Sequence, residues 1–150
     1  MPASPKQDRA LVIHLTPSIR RRLVTMLYES LLLLGVLSVT FMLPHVAIGL
    51  GLNKTLPGWL LLLHLLLVLV AYFVWFWRHG GQTLAMKTWK IHLENAQAAG
   101  PITLPQAFLR FALCWPSLLF FGAGLVWALF DRDRQFLHDR LAGTRLIAGS

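Results

Sequence analysis

Arg22 and Glu29 stand seven residues apart in the stretch RRRLVTMLYESLLLLGVLSVTFMLP, residues 20–44. On a helix that spacing is close to two turns, so both side chains share one face, about 10 Å apart along the axis. They are too far apart to pair directly. Glu29 is the one charged residue between Leu23 and Leu43. A carboxylate placed inside a bilayer costs on the order of 3 kcal/mol, so it is expected to face protein and not lipid. Two chemistries fit. Glu29 can hold helices together through a buried ion pair, or it can bind a proton or a cation. Arg110 is the first candidate for the group that satisfies it, followed by Arg140 and His138 from the C-terminal segment.

Other side chains carry weaker signals. His64 lies inside a second apolar run, where an imidazole either relays protons or bonds a neighbouring helix. Asp139, between His138 and Arg140, reads as a ligand, an ion-pair partner or the cap of a turn. His92 and His138 fall on segments without metal-ligand spacing, so no metal site is expected. Ser30 and Ser38 lack a base at recognisable spacing, and there is no glycine-rich phosphate loop. Neither an enzyme nor a bound cofactor is expected.

These residues are held by apolar runs. Residues 23–43 would form a helix of about 31 Å, enough to cross a hydrocarbon core of about 30 Å. A second run, 57–77, has Trp59 near one end and Trp75 and Trp77 near the other, as in interfacial aromatic belts. The segment between them, HVAIGLGLNKT, reads as an outside loop that dips into the interface. The third run, 107–130, contains Arg110, Pro116, Gly122 and Gly124. A full third span would divide the Lys and Arg residues between the two sides. A fold-back near Pro116 leaves 13 of the 14 on one side and only Lys54 on the other. The positive-inside rule favours the fold-back.

The polar segments complete the plan. Residues 1–19 read as a polar tail, with LVIHL at 11–15 as a short strand or surface turn. Gln82 to Met86 would start a short interfacial helix. TWKIHLEN at 88–95 alternates like a strand. ITL after Pro101 and the segment from Gly143 could join it in a small sheet. The composition is 56% hydrophobic and 13% charged, against roughly 25% charged in soluble domains. The net charge of +8 lies mainly beside apolar runs, which argues against nucleic acid as the partner. One cysteine, Cys114, excludes an internal disulfide. The first run is longer than a signal-peptide core and no small-x-small site follows it closely, so it is expected to remain as an anchor.

R-L-V-T-M-L-Y-E at 22–29, G-Q-T-L at 81–84 and FDRDRQFLHDRLAGTRLI at 130–147 together resemble the RDD family of small bacterial membrane proteins. The resemblance covers about residues 20–148. It implies that Arg22 is the family arginine and Asp139 the second family aspartate. Glu29 occupies the place of the first aspartate, keeping the charge and adding a methylene. Ala85-Met86 replaces a glycine continuation common after G-Q-T-L. Some members of this family are thought to exchange sodium or similar cations for protons.

The expected protein is therefore an all-α membrane protein of one domain, residues 20–150. It has two transmembrane helices, a re-entrant or inclined hairpin at 107–130, and a small cytoplasmic β element at 88–95, 101–104 and 143–148. It is expected in the bacterial inner membrane with both termini cytoplasmic. The function expected is transport, as a transporter or a subunit of one, with cation/proton exchange through Glu29 as the form the resemblance implies. The alternative is a scaffold that binds another membrane protein. Two spans are too few to enclose a pathway, so transport would need a homo-oligomer or another membrane protein.

Overall fold

The computed structural model describes residues 16–98, 100–120 and 122–149. The LVIHL segment lies outside them. Ser18 caps the first helix, α1 (Ile19–Leu37), by accepting from the Arg21 backbone N–H. The helix does not stop before Pro44 as expected. It passes through a π-helical segment, Ser38–Met42, into α2 (Leu43–Leu52), a continuous run of 34 residues. The reason is local. Proline removes a helical donor and its ring crowds the preceding turn. In the wide turn the Leu43 N–H reaches back to the Ser38 carbonyl, and Pro44 then sits at the start of a fresh α-helix. Ser38 and Thr40 hydroxyls donate to the Leu34 and Val36 carbonyls. The HVAIGLGL segment is thus mostly helix, ended by Asn53 in the left-handed conformation.

The second span, α3 (Gly58–Arg78), matches the expected run, with Pro57 as its cap. A short helix follows, α4 (Leu84–Thr88), capped by Thr83. Strand β1 (Ile91–Asn95) comes next. The expected strand at 101–104 is absent. Ile102 is buried, and Thr103 forms a capping box with Gln106 that starts α5 (Leu104–Leu119). Pro116 lies inside α5 and does not break it. The break comes at Gly122, whose φ of 71° is a left-handed conformation glycine adopts at no steric cost. Beyond it, α6 (Ala123–Phe130) lies at 95° to α5. The pair is bent, as the third run led one to expect, but its corner lies several residues after the proline.

Helix α7 (Leu137–Leu141) leads into β2 (Thr144–Ala148). The strands pair antiparallel, with Leu93 opposite Leu146 and Glu94 opposite Arg145. Their inner residues Ile91, Leu93 and Leu146 join Trp77, Met86, Ile102, Ala107 and Phe111 in the core. The core therefore sits at the end of the bundle that carries both polar segments. Along the spans, Leu23, Leu27, Leu31, Leu34, Leu63 and Leu67 remain exposed. That is the arrangement of a protein whose solvent is lipid, where apolar surface need not be hidden.

Candidate functional site

Helix α1 buries three polar residues along one stripe, Arg22, Thr25 and Glu29. The spacing of three and four puts them one above another. Glu29 is 8% exposed. Among the described residues it meets two hydroxyls and no cation. The Tyr72 hydroxyl of α3 donates to Oε1 at 2.6 Å. The Thr83 hydroxyl donates to Oε2. Thr83 serves twice, since its oxygen also accepts from the Met86 N–H at the start of α4.

Gly81 explains how Thr83 arrives there. Its φ is +66°, and a Cβ on it would stand 2.5 Å from the Leu93 carbonyl oxygen. The Leu93 N–H donates to the Gly81 carbonyl at 2.8 Å. The G-Q-T-L segment is thereby pressed onto β1, with Thr83 turned toward α1.

The arginines are engaged elsewhere. Arg22 is 2% exposed and donates to the Pro17 carbonyl at 3.0 Å and the Arg134 carbonyl at 2.7 Å. Its guanidinium lies over Phe136. Arg110, the expected partner of Glu29, instead donates from Nε to Asp139 Oδ1 at 2.8 Å and lies over Trp77 at 4.5 Å. Two acids compete for one guanidinium, and α7 delivers Asp139 beside α5. Among the described residues, Arg110 Nη1 and Asp139 Oδ2 have no hydrogen-bond partner.

His138 and Arg140 do not bond to Glu29 either. The His138 Nδ1 lies 3.2 Å from Ser117 Oγ, and Nε2 lies 3.7 Å from Asp139. Burial, aided by Arg110 and Arg22, pushes this imidazole down to about 4 against the pull of Asp139. It is neutral at pH 7, so its contact with Asp139 is not an ion pair. Arg140 is exposed at the surface and pairs with Asp131 and, at 3.7 Å, with Asp133. His64 lies apart from this group, its ring 4.9 Å from His45 and 5.5 Å from Phe41.

Arg22, Glu29, Thr83, Arg110 and His138 share the wall of one cavity of about 390 Å³. Asp139 reaches it only through Arg110. Most of the remaining lining is aliphatic or aromatic. Tyr72, Thr83 and Ser117 were not singled out from sequence. Tyr72 had a signal, as the sole hydroxyl in the run 57–77. Thr83 and Ser117 had none at long range.

The RDD family model matches residues 16–143. An uncharacterized protein of Rickettsia prowazekii (strain Madrid E), RP437, is 34% identical over 82 residues, 55% of this chain and 45% of that protein. The chain thus matches about half the length of that curated relative. No solved structure matches.

Proposed function

This chain belongs to the RDD family of membrane proteins, and on that premise we propose that it is a transporter subunit that exchanges a cation for protons at Glu29. The observation that carries this reading is the pairing of Glu29. It is buried at a cavity wall, held by two hydroxyls and, among the described residues, by no positive group. A purely structural acid in a bilayer would be expected to take one of the nearby guanidiniums. Glu29 leaves both guanidiniums to other partners and keeps its charge available. A proton or a cation can complete it.

The reading extends to placement. The polar end of the bundle faces the cytoplasm of a bacterial cell at the inner membrane, because 13 of 14 Lys and Arg then lie inside. Two spans do not enclose a path, so copies of this chain or a partner membrane protein complete it. The scaffold reading finds its support in the ion pair of Arg110 and Asp139, which locks α5 to α7 without any ligand.

The test is proton release from purified protein in weak buffer. Sodium chloride and tetraphenylphosphonium chloride are titrated in turn. One of them should release protons from the wild type, and Glu29→Gln should fold and release none. Glu29→Asp should retain release. If neither salt releases protons from a folded wild-type protein, the exchange reading is wrong and the scaffold reading takes its place.

A further inference from the structure

The cavity beside Glu29 suits a particular class of cation. We infer that its occupant is a lipophilic organic cation, an amine or onium compound with an apolar body, and not an alkali ion. The inference rests on the exchange reading above and names its substrate.

Three observations lead there. The first is size and lining. About 390 Å³ is the volume of a small organic ligand's site, far beyond the roughly 30 Å³ share of one water. Hard metal cations demand a shell of several oxygens. Here the carboxylate oxygens already take hydroxyl bonds from Tyr72 and Thr83, and the Ser30 hydroxyl is spent on the Met26 and Leu27 carbonyls. The rest of the wall near Glu29 is mostly carbon, including Leu33, Leu69 and Phe73. Such a wall solvates an apolar body well and a bare alkali ion poorly.

The second is an aromatic row. Phe73 of α3, Phe111 and Trp115 of α5 line the cavity in sequence, with ring centroids 6.1 Å and 5.9 Å apart. Ring faces attract desolvated cations, and quaternary ammonium groups are bound this way. Trp77 and Phe136, which also line the cavity, carry the Arg110 and Arg22 guanidiniums, which leaves Phe73, Phe111 and Trp115 for a ligand.

The third is charge. The groups around Glu29 are Arg22 on its own helix, Arg110 on α5, Asp139 and neutral His138 on α7, and the hydroxyls of Tyr72 and Thr83. With Glu29 ionised, two arginines and two carboxylates cancel. One proton or one monovalent cation leaves a single excess positive charge. Both together would leave two in a poorly hydrated space, so the two exclude each other. When the cation enters, the proton leaves the Glu29 carboxyl for water. No covalent bond changes apart from that O–H.

The experiment is equilibrium dialysis of the full chain in detergent against labelled tetraphenylphosphonium, repeated from about pH 8 down to about pH 5. Expected is saturable binding that weakens as protons compete for Glu29 on lowering the pH, and that is unaffected by a large excess of sodium chloride. Glu29→Gln should weaken it about tenfold or more. Leu118→Trp narrows the cavity at a half-exposed wall position and should weaken it without unfolding the core. That second variant carries the test if Glu29→Gln does not elute as a single species. Binding equal in the wild type and both variants means mere partition, and overturns the inference. Proton release by sodium but not by tetraphenylphosphonium overturns it while leaving the exchange reading intact. Release by neither cation removes both.

Discussion

Asp139 and His138 are neighbours in sequence with opposite tasks. Asp139 is 1% exposed and holds Arg110. Asp139→Asn would strand a buried guanidinium, and breaking such a pair costs about 3–5 kcal/mol. The variant should lose thermal stability in detergent whatever it does to transport, as read by the melting midpoint. His138 is buried neutral, with its folded-state value near 4 against an ordinary 6.5. The unfolded chain therefore takes up the proton first as pH falls. The stability that neutral His138 contributes is complete above about pH 6.5 and is lost on descent toward about 4. The melting midpoint should fall across that window. His138→Gln can still bond Ser117 and should show a shallower fall. At this scale the sequence was half legible. Arg22, Glu29 and Asp139 stood out because charges in apolar or motif settings must be satisfied. Their partners did not, because sequence spacing cannot tell which of two acids wins Arg110, nor that Tyr72 and Thr83, with 10 residues between them, both reach Glu29.

The elements were read best where one rule acted alone. Helix α3 follows from length and hydropathy, and the pairing of β1 with β2 follows from alternation at two polar segments. Where proline was taken as punctuation, the outcome differed twice. Pro44 is accommodated by a π turn and Pro116 by a helix that continues one more turn to Leu119. Each helix keeps its other backbone bonds, so ending it would cost more than the one lost bond. Gly122 was noted in the run, yet only its left-handed backbone marks the corner. Gly81 offers the clearest element-level test. Ala there must adopt a positive φ and meets the Leu93 carbonyl, a strain on the order of 1–3 kcal/mol before the clash is counted. Gly81→Ala should lower the melting midpoint and disturb Thr83, weakening any binding that depends on Glu29. Gly49→Ala, in open space on a helix, should hold or slightly raise the melting midpoint and leave binding unchanged.

The whole molecule divides into a packed polar end and an apolar shaft. The core gathers at the end with β1, β2 and α4, while Ser38–Met42 and Leu43–Leu52 in the outer half of the first run contain no buried residue. That division is why Glu29 sits where it does. Two turns above Arg22, it lies at the floor of the shaft, where the helices part to leave the cavity. The most direct measurement is the pH inside proteoliposomes carrying this chain when a cation gradient is imposed, with tetraphenylphosphonium and sodium tried separately. A cation-driven pH change should appear with the wild type and with Glu29→Asp, and vanish with a folded Glu29→Gln. A folded Glu29→Gln protein that exchanges as fast as the wild type would contradict the role given to Glu29.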